Sequence, residues 1–232
     1  MHPLDNPIWQ ALTTSQAHLA KTGKLARRFP NDVTPLGGFA EPVREAYDSL
    51  AAILDDVSAT GLVFRSPQHP PAGWTIIAGA PLLQMIHENG EMAAASASQS
   101  MSREILELTP ADAPEMLALA QLTKPGPFGL RTRELGTYLG IRHEGRLAAM
   151  AGERLRAPGF TEISAVCTHP DHLGQGHAAA LMTTLMERIH GRGEVPFLHV
   201  REDNTRAVAL YERLGFRKRV LLHFVVVQKP VG

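Results

Sequence analysis

Apolar residues recur along the chain with two different periods, and these lay out its elements. Over 42–57, Val43, Ala46, Tyr47, Leu50, Ile53, Leu54 and Val57 fall at steps of three and four, which predicts a helix with one buried face. Gly61 lies just past it and reads as its stop. Before it, Asn6-Pro7 pairs an N-cap candidate with proline at the first helical position, ahead of Ile8, Trp9, Leu12 and Leu19. A short segment at 24–29 ends at Pro30-Asn31-Asp32. Short strands are expected at 62–65, 74–78 and 82–87, with Pro81 dividing the last two.

From 89 to 102 the pattern dissolves into small and polar residues, which reads as a linker. Beyond it the periods return. A strand over 103–108 leads into Thr109-Pro110-Ala111-Asp112, a helix start, and then Met116, Leu117 and Ala120. Pro125-Gly126-Pro127 breaks that helix. Strands at 135–143 and 146–155 flank the two-residue turn Glu144-Gly145, and Pro158-Gly159 leads to a third at 161–168, an antiparallel meander. A helix over 174–190 places Leu181, Leu185 and Ile189 on one side, and Gly191 and Gly193 end it. A strand at 195–200, a helix from Asn204 to Leu214 stopped by Gly215, and a β-rich tail over 216–227 follow. Strand, helix and strand in succession imply a parallel crossover. The fold class is α+β, a mostly antiparallel mixed sheet flanked by helices. The expected organisation is an N-terminal α+β region at 1–90, a linker at 91–102 and a second domain at 103–232.

Composition narrows the partners. With 23 basic and 23 acidic residues the chain is neutral, so nucleic acid or an anionic membrane is not expected. No apolar run is long enough to span a bilayer, and the first residues do not resemble a signal peptide. Cys167 is the single cysteine, which excludes an intrachain disulfide and a cysteine-cluster metal site. A reducing, cytoplasmic location is the expectation, with a monomer or homodimer as the state.

The richest stretch for chemistry is 162–178, EISAVCTHPDHLGQGHA, a strand running through a turn into a helix start. The first turn of a helix carries N–H groups without internal partners and the positive end of the dipole, and glycines let an anion approach the backbone. His169, His172 and His177 have no carboxylate or thiolate at ligand spacing, so no metal is expected. Cys167 lacks an activating base nearby in sequence, and no nucleophile elbow or P-loop lysine is present.

Two segments carry a resemblance. HPDHLGQGHAAALM at 169–182 and DNTRAVALYERLGF at 203–216 resemble, in order and separation, the paired motifs of the GNAT superfamily of N-acetyltransferases. The first motif falls on Leu173, Gly174, Gln175, Gly176, His177 and Ala178; the second falls on Asn204, Ala207, Leu210, Tyr211, Gly215 and Phe216. The resemblance covers about 103–227 and implies a GNAT-like acyl-CoA N-acyltransferase fold. The N-terminal region is then either a degenerate related unit or a substrate-shaping extension.

It further implies acetyl-CoA as co-substrate, its pyrophosphate on the backbone of Leu173 to Ala178 and its arm along Val166, Cys167 and Thr168. Asn204 and Ala207 would line the opposite wall. Leu173 departs from the motif, which has a basic residue or glutamine there. Tyr211 matches the tyrosine that donates a proton to the CoA sulfur. Glu162 matches a base glutamate of some members, and even spacing would put Glu162, Ser164, Val166 and Thr168 on one strand face. The implied activity is acetyl transfer to a primary amine of a small molecule or peptide, by direct attack in a ternary complex and without a metal. The alternative is a non-catalytic CoA-binding sensor on the same fold.

Overall fold

The computed structural model describes residues 2–54, 58–88 and 104–230. The N-terminal part contains α1 (Pro7–Thr13), β1 (Lys21–Thr22), β2 (Ala26–Arg28), β3 (Gly37–Phe39), α2 (Arg44–Ala51), β4 (Ala59–Phe64) and β5 (Thr75–Ile86). It continues with β6 (Ile105–Glu107), α3 (Ala113–Thr123), β7 (Tyr138–His143), β8 (Arg146–Ala157) and β9 (Phe160–Thr168). Then come α4 (His177–Gly191), β10 (Val195–Arg201), α5 (Thr205–Arg213) and β11 (Arg217–Gln228).

β1 to β3 form a small antiparallel sheet, and the other eight strands form one large sheet in the order β4-β11-β5-β10-β9-β8-β7-β6. β5 lies between β10 and β11 and pairs antiparallel with both. The division expected at 91–102 is therefore not a division of the sheet, because strands from before it are interleaved with strands from after it. Residues 91–102 themselves lie outside the described residues.

The meander β7-β8-β9 pairs antiparallel, and α4 carries the chain from β9 to a parallel β10. Alternation sorts the strands' side chains between two layers. Leu139, Ile141, Ala149 and Ala151 pack with Leu181, Leu185 and Ile189 of α4, and Val208 and Tyr211 of α5 join the same cluster. Tyr138 and Met150 face the other way, onto Met116, Leu119 and Ala120 of α3. α1 packs on β8 through Ile8, Ala11, Leu12 and Leu155. Burying side chains of this size contributes roughly 1.5–3 kcal/mol each.

Several expectations change in detail. The helix expected over 42–57 is shorter, at Arg44–Ala51, and 55–57 lie outside the described residues. Gly61 does not end it but sits inside β4, where a Cβ would meet the Phe224 ring at 2.7 Å. The two strands expected around Pro81 are one strand, β5. Pro81 is tolerated because it stands one residue past the last β10 pair, Leu82↔Arg201, where its carbonyl still accepts from the Glu202 N–H at 3.3 Å. A missing donor there removes no interior bond.

Candidate functional site

β9 and β10 pair over only three residues, ending at Phe197↔Glu162, although both strands run on. Beyond that pair they separate, and a cleft of about 1070 Å³ opens between their C-terminal ends. A bulge helps the separation. Ala165 has φ +52, and β9 uses one more residue than β8 between Ser164 and Cys167. The bulge also breaks the even spacing expected on β9. Ile163 and Val166, three residues apart, pack in the same layer, so Glu162 and Val166 face opposite sides.

The floor of the cleft is the start of α4. Gly174 (φ +76) and Gly176 (φ +78) are left-handed, and Gly176 caps the helix without any side-chain cap. The helix N–H groups and the dipole are thus turned to the cleft mouth. A Cβ on Gly174 would meet nothing within 4 Å, so space for an anion remains there and glycine is needed for its backbone conformation. These features fit the phosphates of a CoA ester.

The cleft brings together almost all the residues expected from sequence. Val166, Cys167 and Thr168 line one side, and Leu173, Gly174, Gly176, His177 and Ala178 line the floor. Ala207 and Tyr211 come from α5, and Asn204 from the position just before it. Asn204 also accepts from the Ala207 N–H at 3.2 Å, capping that helix. Gln175 is not a lining residue. Leu173 is 49 % exposed. Lys124, which lies outside both motif segments, and Arg206 and Arg213, which stand between the defining positions of the second, bring positive charge to the same cleft.

Tyr211 is 9 % exposed, and burial pushes its phenol up to about 12. It stays protonated throughout the neutral range and so keeps an O–H to donate. Cys167 is buried, and desolvation raises its thiol to about 11, so at neutral pH it is not a thiolate.

Glu162 is corrected. Its carboxylate is fully buried and does not line the cleft. It accepts from Arg154 at 2.9 Å (Nε) and 2.6 Å (Nη2). His199 Nδ1 is 2.7 Å away. Burial raises its pKa, but the Arg154 charge, with His199, outweighs that and brings it to about 2. A carboxylate so stabilised is a weak base, and it does not itself face the cleft.

Arg154 and His199 do line the cleft, and neither was singled out from sequence. A signal existed for Arg154: the tight turn at Pro158-Gly159 folds β8 back on β9 and sets 154 near 162. The cleft's far wall, with Ile8, Leu36, Val63 and Ala78 to Ala80, comes from the N-terminal part and carries no motif.

A mixed sheet split at a parallel strand pair, with a glycine-capped helix start and a buried phenol in the gap, defines an acyltransferase of the acyl-CoA type. Comparisons extend this. Residues 138–225 match the family described as FR47-like protein. The N-alpha-acetyltransferase RimI of Mycobacterium tuberculosis is 38% identical over 122 residues, covering 48% of this chain and 76% of that protein. A structure from Novosphingobium aromaticivorans, assigned to the GNAT family of acetyltransferases, is 39% identical over 100% of both chains with a TM-score of 0.88. A GCN5-related N-acetyltransferase from Kribbella flavida shares the fold at 20% identity and a TM-score of 0.63, covering 97% of this chain and 94% of its own. The chain belongs to the GNAT superfamily of N-acetyltransferases.

Proposed function

We propose that this acetyltransferase moves the acetyl group of acetyl-CoA to a primary amine, by direct attack with both substrates in the cleft. The observation that carries the reading is the joining of β9, the α4 start and α5 around one cleft. Acetyl-CoA supplies the activated thioester. The backbone of Leu173 to Ala178 holds its phosphates, each dipole contact contributing roughly 0.3–1 kcal/mol. The β9 main chain at Val166, Cys167 and Thr168 holds its arm, and Asn204 and Ala207 close the other wall. Lys124 and Arg206 supply the positive charge that Leu173 does not.

Attack forms the C–N bond and breaks the C–S bond, so the thiolate leaves and the new amide nitrogen carries one proton in excess. Tyr211 gives its phenolic proton to the leaving thiolate and recovers one from water, so the proton delivered to sulfur balances the one that water takes from the nitrogen. Glu162 is bound to Arg154 and His199 and does not take the amine's proton; water at the cleft mouth does. This favours an acceptor that is often neutral already. An α-amino group, with a pKa of about 7.7–8.0, is neutral in roughly one molecule in ten at pH 7, whereas a lysine amine is neutral in roughly one in a few thousand. RimI of Mycobacterium tuberculosis, by its name an N-alpha-acetyltransferase, is in keeping with that preference.

The test is incubation with acetyl-CoA and a panel of peptides, lysine derivatives and small amines, read by thiol release and by the mass of acetylated product. Peptide α-amines are expected to gain one acetyl group. Absence of transfer to every amine would reject the reading.

A further inference from the structure

We propose that the acceptor is held by its own backbone, as a short added strand on Gly79 of β5; this rests on the amine-acetylation reading above. β5 is longer than its neighbour β10. Its pairing with β10 starts at Leu82↔Arg201, whereas its pairing with β11 continues back to Thr75. Among the described residues no strand covers the β10 side of β5 before Leu82.

The direction of the uncovered groups follows from one hydrogen bond. The Glu202 N–H donates to the Pro81 carbonyl, so Pro81 presents its backbone toward β10. In an antiparallel ladder alternate residues present N–H and C=O to the same edge. Gly79, two residues before Pro81, therefore turns both groups to that side, past the end of β10. Ala78, Gly79 and Ala80 line the cleft there.

The free edge is short at both ends. Pro81 has no N–H to extend it. At the other end the register with β11 skips Ile77, a bulge. It offers one donor and one acceptor, enough for a chain end and too little for a long strand, so a peptide terminus is favoured over a second copy of this chain. The exposed Ile76 (40 %) and Ile77 (53 %) flank it and offer apolar contact to the residues that follow the terminus. The CoA arm along β9 and the acceptor along β5 would together fill the gap that β10 leaves by ending early.

The experiment is a series of alanine tetrapeptide amides, each N-methylated at one peptide nitrogen, assayed with saturating acetyl-CoA against the unmethylated peptide and n-butylamine. Methylation at one nitrogen is expected to raise KM roughly 5- to 100-fold with little change in kcat, because it leaves the Gly79 carbonyl unpaired. The other positions should have little effect, and n-butylamine should be a correspondingly poor acceptor. Gly79→Pro, which deletes the N–H, should raise KM for the unmethylated peptide by a similar factor; if that variant does not fold, the peptide series decides alone. Equal KM across the methylated series, or n-butylamine as good as the peptide, would overturn the inference. So would a dimer that Gly79→Pro dissociates, which would give the edge to a second copy. If no amine is acetylated at all, it is the acetyltransfer reading that has failed.

Discussion

His199 Nδ1 lies 2.7 Å from Glu162 Oε1, at the point where β9 and β10 part. The rest of the network sets the histidine's tautomer. Gln84 accepts from Arg219 at 2.8 Å through its Oε1, so its Nε2 is the donor. That Nε2 reaches the Leu4 carbonyl at 2.9 Å and His199 Nε2 at 3.0 Å. His199 Nε2 must then accept, and Nδ1–H donates to Glu162. Arg219 in turn bonds Asp5 at 2.6 Å. Arg154, Glu162, His199, Gln84, Arg219 and Asp5 thus form one chain, from the cleft to the N-terminal segment. Its members hold one another in place and leave none of them a free proton acceptor.

Replacing Glu162 is therefore expected to act on stability rather than on proton transfer. Glu162→Gln leaves Arg154 buried without a counter-charge, which costs about 3–5 kcal/mol. The shape of the pH–rate profile should not change. The double variant Arg154→Met/Glu162→Leu should recover much of the loss, as a double-mutant cycle of unfolding free energies would show. A profile that loses its acidic limb in Glu162→Gln would return the base role to this residue.

Acid unfolding tests the same carboxylate. Its folded pKa of about 2 is below the ordinary 4.5, so its contribution is present above about 4.5 and is lost as pH falls toward 2. The sign is that of a depressed acid: the unfolded chain binds the proton more readily. The loss is on the order of 3 kcal/mol, from the size of the shift. Chemical denaturation at stepped pH should show this fall in wild type and a smaller one in the double variant.

Tyr211→Phe removes the donor and keeps the ring packed against Phe216. Turnover should fall at least about tenfold, while acetyl-CoA affinity stays within about twofold. With its phenol near 12, Tyr211 should cause no alkaline loss of rate below about pH 10. Unchanged turnover would reject it as the donor.

Cys167, held as a thiol by burial, should resist iodoacetamide at pH 8 in the folded protein and react once denatured. Cys167→Ala should retain turnover, since only the main chain at this position is assigned a role. Rapid labelling of the folded protein, counted by mass, would contradict this.

Local patterns made much of the C-terminal half legible. The meander, the α4 stripe and both motifs depend on periods and turn residues that neighbouring positions supply. The interleaving of β5 between β10 and β11 was not legible, because it joins residues more than a hundred positions apart and no local pattern records a pairing partner. The same holds for the cleft wall from Ile8 to Ala80. Glu162 was misplaced for a different reason. Ala165 in a left-handed conformation carries no sequence mark, and its bulge turned an even-spaced face into two. The ion pair with Arg154 was within reach of the sequence, through the Pro158-Gly159 turn.

The cradle at the start of α4 is the part of the account on which the rest depends. Gly176 holds φ +78, which a β-branched residue resists, so Gly176→Val should distort the N–H groups that face the cleft. The most direct measurement is calorimetric titration of acetyl-CoA into the wild-type protein and into Gly176→Val, with the fold of both checked by circular dichroism. The account predicts saturable one-to-one binding to wild type, and binding at least about tenfold weaker to a folded Gly176→Val. No binding to wild type at millimolar acetyl-CoA, or equal affinity of the two folded proteins, would contradict it.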